Sequence, residues 1–492
     1  MQLANHGTSD SPSYKYGLIS IHFLYSISTI TFGVFYSSLS LLLTQKFDLQ
    51  PVTAMGLVGL FFAFHYSLGV LGGKIGDKYI DFKVLFICGK FFQLLASLIL
   101  VLALDNHQLL FLGLGLFLVD SMVSMVSLNM FVTDYFKKNN HQGRLVAFLN
   151  THIWTNMGSV TAFVISGAIY HFYSVEKLLY VTAAFSLVAL TCSLFMVPSR
   201  DQPNQNTSLS FVKFQFIKTF LIMLTISLFL TLMLTNFLFY RVVIFLVAAV
   251  ILVVFKLRSS TRIDSNEIAG ILTFCMFMVC SVGFWSIYML GPTFFPLFIE
   301  HEVDTGFFGL SIPPQWIQLI GPMTVVLGGN ALRTALNYLM EKKQIQLSRT
   351  VNFILGLACA SLALLVMIYG MSTANNLQLG YSWVISYIFI MAIGEILLAP
   401  ASKAIVGDLI PKKLQGFCLG ISQMSLGISV IISGFISEFY LVQNSNTIAN
   451  TANTYDTYVN VFSGLILVSL IIILALCFFD RLFKNRGNLQ LT

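Results

Sequence analysis

An all-α protein that crosses a membrane many times is predicted by three features of these 492 residues: 57% are hydrophobic, only 10% are charged, and long apolar runs recur from end to end. Mean hydropathy is +0.84, whereas a soluble chain is about a quarter charged. Each run approaches the ~20 residues that carry a helix across the ~30 Å hydrocarbon layer. Inside that layer the backbone must satisfy its own hydrogen bonds, which selects helices. A transmembrane barrel would alternate apolar and polar positions in strands of about ten residues, and no such period is present.

Apolar runs between polar breaks place spans near 17–43, 53–73, 83–104, 108–133, 145–170 and 178–197. A polar stretch, Pro198–Ser210, follows, then a hairpin of two runs, 214–235 and 237–256, turning at Asn236. Six more runs lie near 268–299, 313–338, 350–371, 380–402, 414–439 and 457–479, fourteen in all. The expected organisation is an N-terminal six-helix bundle (1–197), a linker with the inserted hairpin (198–262) and a C-terminal six-helix bundle (263–492). Such halves suggest a binding site near the midplane.

Lys and Arg orient the chain, because short cytoplasmic loops collect them. One set of connections carries Lys74, Lys78 and Lys83; Lys137, Lys138 and Arg144; Arg200; Lys256, Arg258 and Arg262; Lys342, Lys343 and Arg349; Lys412 and Lys413; and Arg481, Lys484 and Arg486. The alternate set has Lys46, Lys177 and Arg241. Both termini are therefore expected in the cytoplasm, with the acidic loop Glu300, Glu302, Asp304 outside. The polar start, Met1–Tyr16, runs straight into a full span, so the first helix reads as an uncleaved anchor. The net charge of +7 is spread through these loops and reflects topology rather than nucleic-acid binding. Seven cysteines in or beside apolar runs lack paired metal-ligand spacing and read as packing residues. No nucleophile elbow or phosphate-cradling glycine loop points to an enzyme or a cofactor.

Between the second and third spans, Gly72-Gly73-Lys74-Ile75-Gly76-Asp77-Lys78 precedes Lys83. Its glycines permit close helix approach, and Asp77 with Lys78 is suited to a gate. This loop resembles the signature of the major facilitator superfamily, in the double-glycine form of its proton-dependent oligopeptide (peptide) transporters. Arg144 through Phe148 with His152, Asn156 and Gly158 is similar to that family's fifth helix, His152 standing where Tyr is usual. Phe284-Trp285, and Pro314 to Gln318 through Pro322, resemble its seventh and eighth helices. Ser386-Tyr387, Gly394 to Pro400, Pro411, Gly416 and Gly420 resemble its tenth and eleventh. The resemblance implies a major facilitator fold and proton-coupled transport of a small polar, peptide-like or amino-acid-like solute across a bacterial inner membrane.

The departures are specific. The family's first-helix Glu-x-x-Glu-Arg is replaced by the neutral Tyr25-Ser26-Ile27-Ser28-Thr29, no Lys occurs from Phe91 to Phe136, and Met289 or a neighbour stands for the seventh-helix acid. In the family these groups serve proton coupling and grip peptide termini.

Glu395, deep in an apolar run, carries an insertion cost of about 2.5–3.5 kcal/mol if ionised, which favours a cavity-facing role as proton carrier or partner of a substrate amine. A carboxyl bonded to a neighbouring helix is the plainer alternative. The same cost applies to Asp120, which either compensates for the neutral first helix or makes a packing hydrogen bond. His22, His65 and His152 titrate near neutral pH when unperturbed, His152 alone having motif support. Asn156, Gln318 and Asn330 suit orienting a polar solute, and Tyr36, Trp285 and Tyr288 suit a pocket wall or ordinary packing. Lys90 and Lys403 are expected to snorkel to nearby helix ends. A transporter working by alternating access with protons and a small solute as partners is the reading these residues support. An exporter or uniporter of another metabolite, and a non-transporting sensor or scaffold, remain open beside it.

Overall fold

The computed structural model describes residues 12–136, 141–197, 209–235, 265–293, 295–304, 306–307, 310–311, 319–343, 348–374, 378–445 and 454–485. The N-terminal helices are α1 (Pro12–Gln45), α2 (Pro51–Ser67), α3 (Gly69–Lys78), α4 (Phe82–Leu102), α5 (Leu110–Asp134), α6 (His141–Phe172) and α7 (Lys177–Met196), and α8 (Leu209–Thr235) opens the hairpin. Then come α9 (Ser265–Tyr288), α10 (Leu290–Thr293), α11 (Phe295–Glu302), α12 (Ile320–Lys343), α13 (Arg349–Thr373), α14 (Tyr381–Leu409), α15 (Gln415–Ser445) and α16 (Thr454–Asn485). Thirteen of the fourteen expected spans have a described helix, α2 and α3 sharing one. The second hairpin run, 237–256, lies outside the described residues.

Local chemistry sets several ends. Pro51 begins α2, where its missing N–H has no intrahelical partner to lose. Asp81 accepts from Lys83 N at 2.7 Å to cap α4, and Ser348 accepts from Val351 N at 3.3 Å to cap α13. The run at 268–299 is not one continuous helix: α9 ends at Tyr288 and α10 begins at Leu290, where Pro292 removes the donor that would meet the Tyr288 carbonyl. The all-helical expectation also omits two short ladders, β1 (Val303–Asp304) with β4 (Leu379–Gly380), parallel, and β2 (Gly306–Phe307) with β3 (Leu310–Ser311), antiparallel. They satisfy loop backbone groups that the helices leave unpaired.

Eleven of the described helices are long and apolar enough to span a membrane, and α6 and α12 fall outside that set. Their shortfall comes from His152, Asn156, Arg144, Asn330 and Arg333. Both nevertheless pack on each other and on α14, while Met157 and Val164 of α6 and Met323 and Leu327 of α12 point outward. Polarity is concentrated on helices that face the junction between halves, where lipid does not reach it.

Within the N-terminal half α4 packs on α5 and α7, and α1 on α6 and α7; within the C-terminal half α13 packs on α14 and α16, and α9 on α15. The halves meet through α6 against α12 and α14, and through α15 against α2 and α3. At the second junction a Cβ on Gly73 would overlap the Gly416 carbonyl, so two backbones touch where only glycine fits. Helix α8 docks outside α4 and α5, with Phe220 5.2 Å from Phe92 between ring centroids. Its Phe214, Ile217 and Leu232 point outward, as a lipid-facing helix requires.

Candidate functional site

Helix α14 positions Glu395 by close packing on its far side. A Cβ on Gly394 would lie 3.0 Å from the Gly356 carbonyl of α13 and 2.9 Å from the Phe284 ring of α9, so glycine there sets the depth of the next residue. Glu395 then points across the junction, and its Oε1 lies 3.1 Å from Nε2 of His152 on α6. Both side chains are buried, and Oε2 has no hydrogen-bond donor. One turn along α6, Asn156 donates to the His152 carbonyl at 2.9 Å, with its amide nitrogen 3.5 Å from the ring nitrogen.

Aromatic groups enclose this pair. The Tyr288 phenol of α9 approaches the Glu395 carboxylate, and Tyr66 of α2 and Tyr36 of α1 lie within its electrostatic reach or one another's. Trp285 is buried 5.1 Å from Tyr288, and Phe62 stands edge-on to Tyr36 at 4.6 Å. Beneath them Ile396 packs with Leu149, Ile153 and Val325, and Arg333 of α12 donates to Asn150 of α6 at 3.2 Å. Of the residues selected from sequence, Glu395, His152, Asn156, Tyr36 and Trp285 thus come together. Tyr66 was not selected, because a Tyr in an aromatic-rich helix carries no distinguishing signal. Gln318 lies outside the described residues.

Asp120 belongs to another place. Its Oδ2 is 3.1 Å from Lys90 Nζ, its Oδ1 accepts from Ser124, and Lys90 also reaches Gln93 Oε1 at 3.2 Å. This corrects the expectation that Lys90 snorkels: it is 1% exposed, held between α4 and α5 by a counter-ion. An ammonium and a carboxylate each too costly to bury alone are tolerated together. Beside them His65 bonds Ser121 Oγ at 2.6 Å and stacks on Phe32 at 3.9 Å. His22 stacks on Trp154 at 6.3 Å. In the neutral stretch of α1, Tyr25 donates to Asn129 Oδ1 of α5 at 2.6 Å. Asn330 donates to the Val326 carbonyl on its own helix.

A second cluster ties the two halves at the end of the molecule that carries Lys74, Lys83 and Lys412. Asp77 accepts from Gly416 N at 2.9 Å and Phe417 N at 2.7 Å, capping the first turn of α15 from across the junction. Lys78 is not in that contact; it is exposed, with its ammonium 5.1 Å above the Tyr79 ring. Arg144 of α6 pairs with Asp408 of α14, which also holds Arg349 of α13 at 3.4 Å. Arg144 further donates to the Phe136 carbonyl at 3.3 Å, and its guanidinium fits only because Gly407 has no side chain. Asp408 escaped the sequence reading because an acid near a helix end is ordinarily solvated. Among the described residues no group of three His, Cys, Asp or Glu is placed to hold a metal ion.

Two half-bundles, built mainly of helices long and apolar enough to span a membrane and joined through a buried carboxylate–imidazole contact and a cluster of charges at one end, make up the described molecule. The profile of the Major Facilitator Superfamily matches residues 21–434, and the chain belongs to that superfamily. Within it the relatives are peptide transporters, the branch that the sequence motifs resemble. The chain is 22% identical over 442 residues to dipeptide and tripeptide permease B of Salmonella typhimurium, covering 88% of each chain. It is 23% identical to dipeptide and tripeptide permease A of Yersinia pestis, covering 87% of this chain and 85% of that one. Among solved structures, a POT family transporter in complex with a thioalcohol-conjugated peptide superposes with TM-score 0.72 at 17% identity over 93% of this chain and 95% of that one. Another POT family transporter, in complex with 5-aminolevulinic acid, gives TM-score 0.71 with the same identity and coverage.

Proposed function

We propose that the chain is a proton-coupled secondary active transporter of a small peptide-like or amino-acid-like solute, with both termini cytoplasmic in a bacterial inner membrane. The observation that carries this reading is the Glu395–His152 contact, in which a buried carboxylate of one half meets a titratable ring of the other. In this reading the moving parts are the two bundles, 1–197 and 263–492, joined by 198–262, of which the described helix α8 packs outside α4 and α5. The basic loops put the Asp77 and Arg144–Asp408 locks on the cytoplasmic side, so this conformation is closed inward.

In this conformation Glu395 and His152 hold each other. A proton or a substrate amine arriving from outside competes with His152 for the carboxylate and weakens a tie between the halves. Substrate binding then biases the bundles toward the inward-open arrangement, and release of both ligands lets the pair re-form. Tyr36, Tyr66, Tyr288, Trp285 and Asn156 line the site with aromatic faces and neutral hydrogen-bonding groups. They orient a solute without adding charge.

The test uses proteoliposomes, with Ala-Ala as the probe solute and Glu395→Gln as the variant. If Glu395 carries the proton, gradient-driven accumulation collapses while exchange of labelled for unlabelled solute survives; if it grips the amine, both fall. Wild-type behaviour of Glu395→Gln in both assays refutes the assignment. Binding without either flux in the wild-type protein points instead to a sensor.

A further inference from the structure

Lys403 is left without a task by the site and the locks just described. It stands on α14 eight residues after Glu395, about 12 Å along the axis at 1.5 Å per residue. Ile396, seven residues before it, packs on Leu149 and Ile153 of α6, and Gly407, four residues after it, lies under Arg144 of α6. Helical periodicity puts Lys403 on that same face, between the Glu395 site and the Arg144 lock. The expectation that it snorkels to the helix end is therefore corrected: it is partly buried and feels the charge of Glu395.

No ion pair among the described residues uses its ammonium. Asp408, five residues further on, already holds Arg144 and Arg349. Glu395 holds His152 and is two helical turns away. Among the described residues of the other half, Lys90 is bound to Asp120, Arg144 is bound to Asp408, and the stretch Tyr25–Thr29 is neutral. One face of one helix thus presents an acid and an unpaired base, too far apart to satisfy each other directly and spaced for a short molecule between them.

We propose that Lys403 anchors the carboxylate of a zwitterionic solute whose amine is held by Glu395, so that α14 grips both charged ends. This rests on the reading of Glu395 as part of the substrate site. The N-terminal half then contributes only His152 and neutral groups, and it can rock away without breaking a charged contact to the solute. The chain tolerates neutral residues in its first helix, and a committed Lys90, because the anionic end of the solute has moved to the other half.

The experiment measures equilibrium binding to the purified full-length protein of Ala-Ala, its C-terminal amide and its N-acetyl derivative. Lys403→Met is expected to weaken Ala-Ala binding at least about tenfold, as loss of a charged hydrogen bond does, and to change amide binding less than about twofold. Lys403→Arg should keep most of the affinity for Ala-Ala. In the wild type the amide should bind as weakly as Ala-Ala binds to Lys403→Met, because the same contact is missing from either side. Should Lys403→Met aggregate, Lys403→Gln makes the same comparison. Equal losses for Ala-Ala and its amide overturn the proposal, as does unchanged Ala-Ala binding. If Glu395→Gln abolishes binding while Lys403→Met does not, the Glu395 site stands and only the lysine assignment fails. If the wild type binds none of the three compounds, the site reading itself fails and this assignment goes with it.

Discussion

Lys90 and Asp120 show how one charge decides the place of another. Separately each is an expensive residue for a membrane helix, and together at 3.1 Å they form a fully enclosed pair between α4 and α5. Removing one partner strands the other. Lys90→Met and Asp120→Leu are each expected to lower stability by about 3–5 kcal/mol, while the double variant recovers most of it, because a well-packed apolar pair replaces a buried ion pair at little cost. Thermal unfolding in one detergent at one pH makes the comparison, and a double variant as unstable as the sum of the singles would contradict it. His152 makes the corresponding point at the site, since its ring fills the position where the resembled family has Tyr. His152→Tyr should retain binding and lose the coupling of transport to an imposed pH gradient, whereas full coupling in that variant would remove His152 from the mechanism.

Among the elements, α3 and α15 lie against each other through Gly73 and Gly416, with Asp77 bonded to two amides at the start of α15. These contacts belong to one conformation and do not touch the Glu395 site. Asp77→Asn should therefore slow turnover several-fold more than it weakens equilibrium binding, because it acts on the balance between conformations. A large fall in affinity at unchanged turnover would place Asp77 in the site instead. Helix α8 illustrates the opposite case: it adds an outer layer on α4 and α5 and contributes nothing to the junction. Replacing 209–256 by a short flexible linker is expected to leave ligand affinity within about twofold, read by thermal stabilisation, with any loss appearing in stability.

Across the whole molecule, the junction closes at the end bearing the basic loops, through Arg144, Asp408, Arg349 and Asp77. Asp408→Asn takes the shared anion from two arginines and should shift the population toward opening at that end. Cysteines placed near Phe148 would then label faster from that side, and unchanged labelling would show that the cluster is not a lock. Orientation is checked in intact cells with single cysteines at 138 and 302. Labelling from outside is expected at 302 and not at 138, and the reverse result would turn the molecule over.

Hydrophobic run length was sufficient for thirteen helical segments and their sequence order, because insertion into a bilayer is a local property of each segment. The same local cost marked Glu395 and Asp120, since an acid in an apolar run is anomalous wherever it points. What local cost does not contain is direction. Only the packed helices decided that Glu395 faces His152 while Asp120 faces Lys90, that Asp77 rather than Lys78 crosses the junction, and that Asp408 draws together two arginines distant in the chain. Those outcomes depend on which faces of separate helices meet, and a buried charge takes its meaning from the partner the fold brings to it.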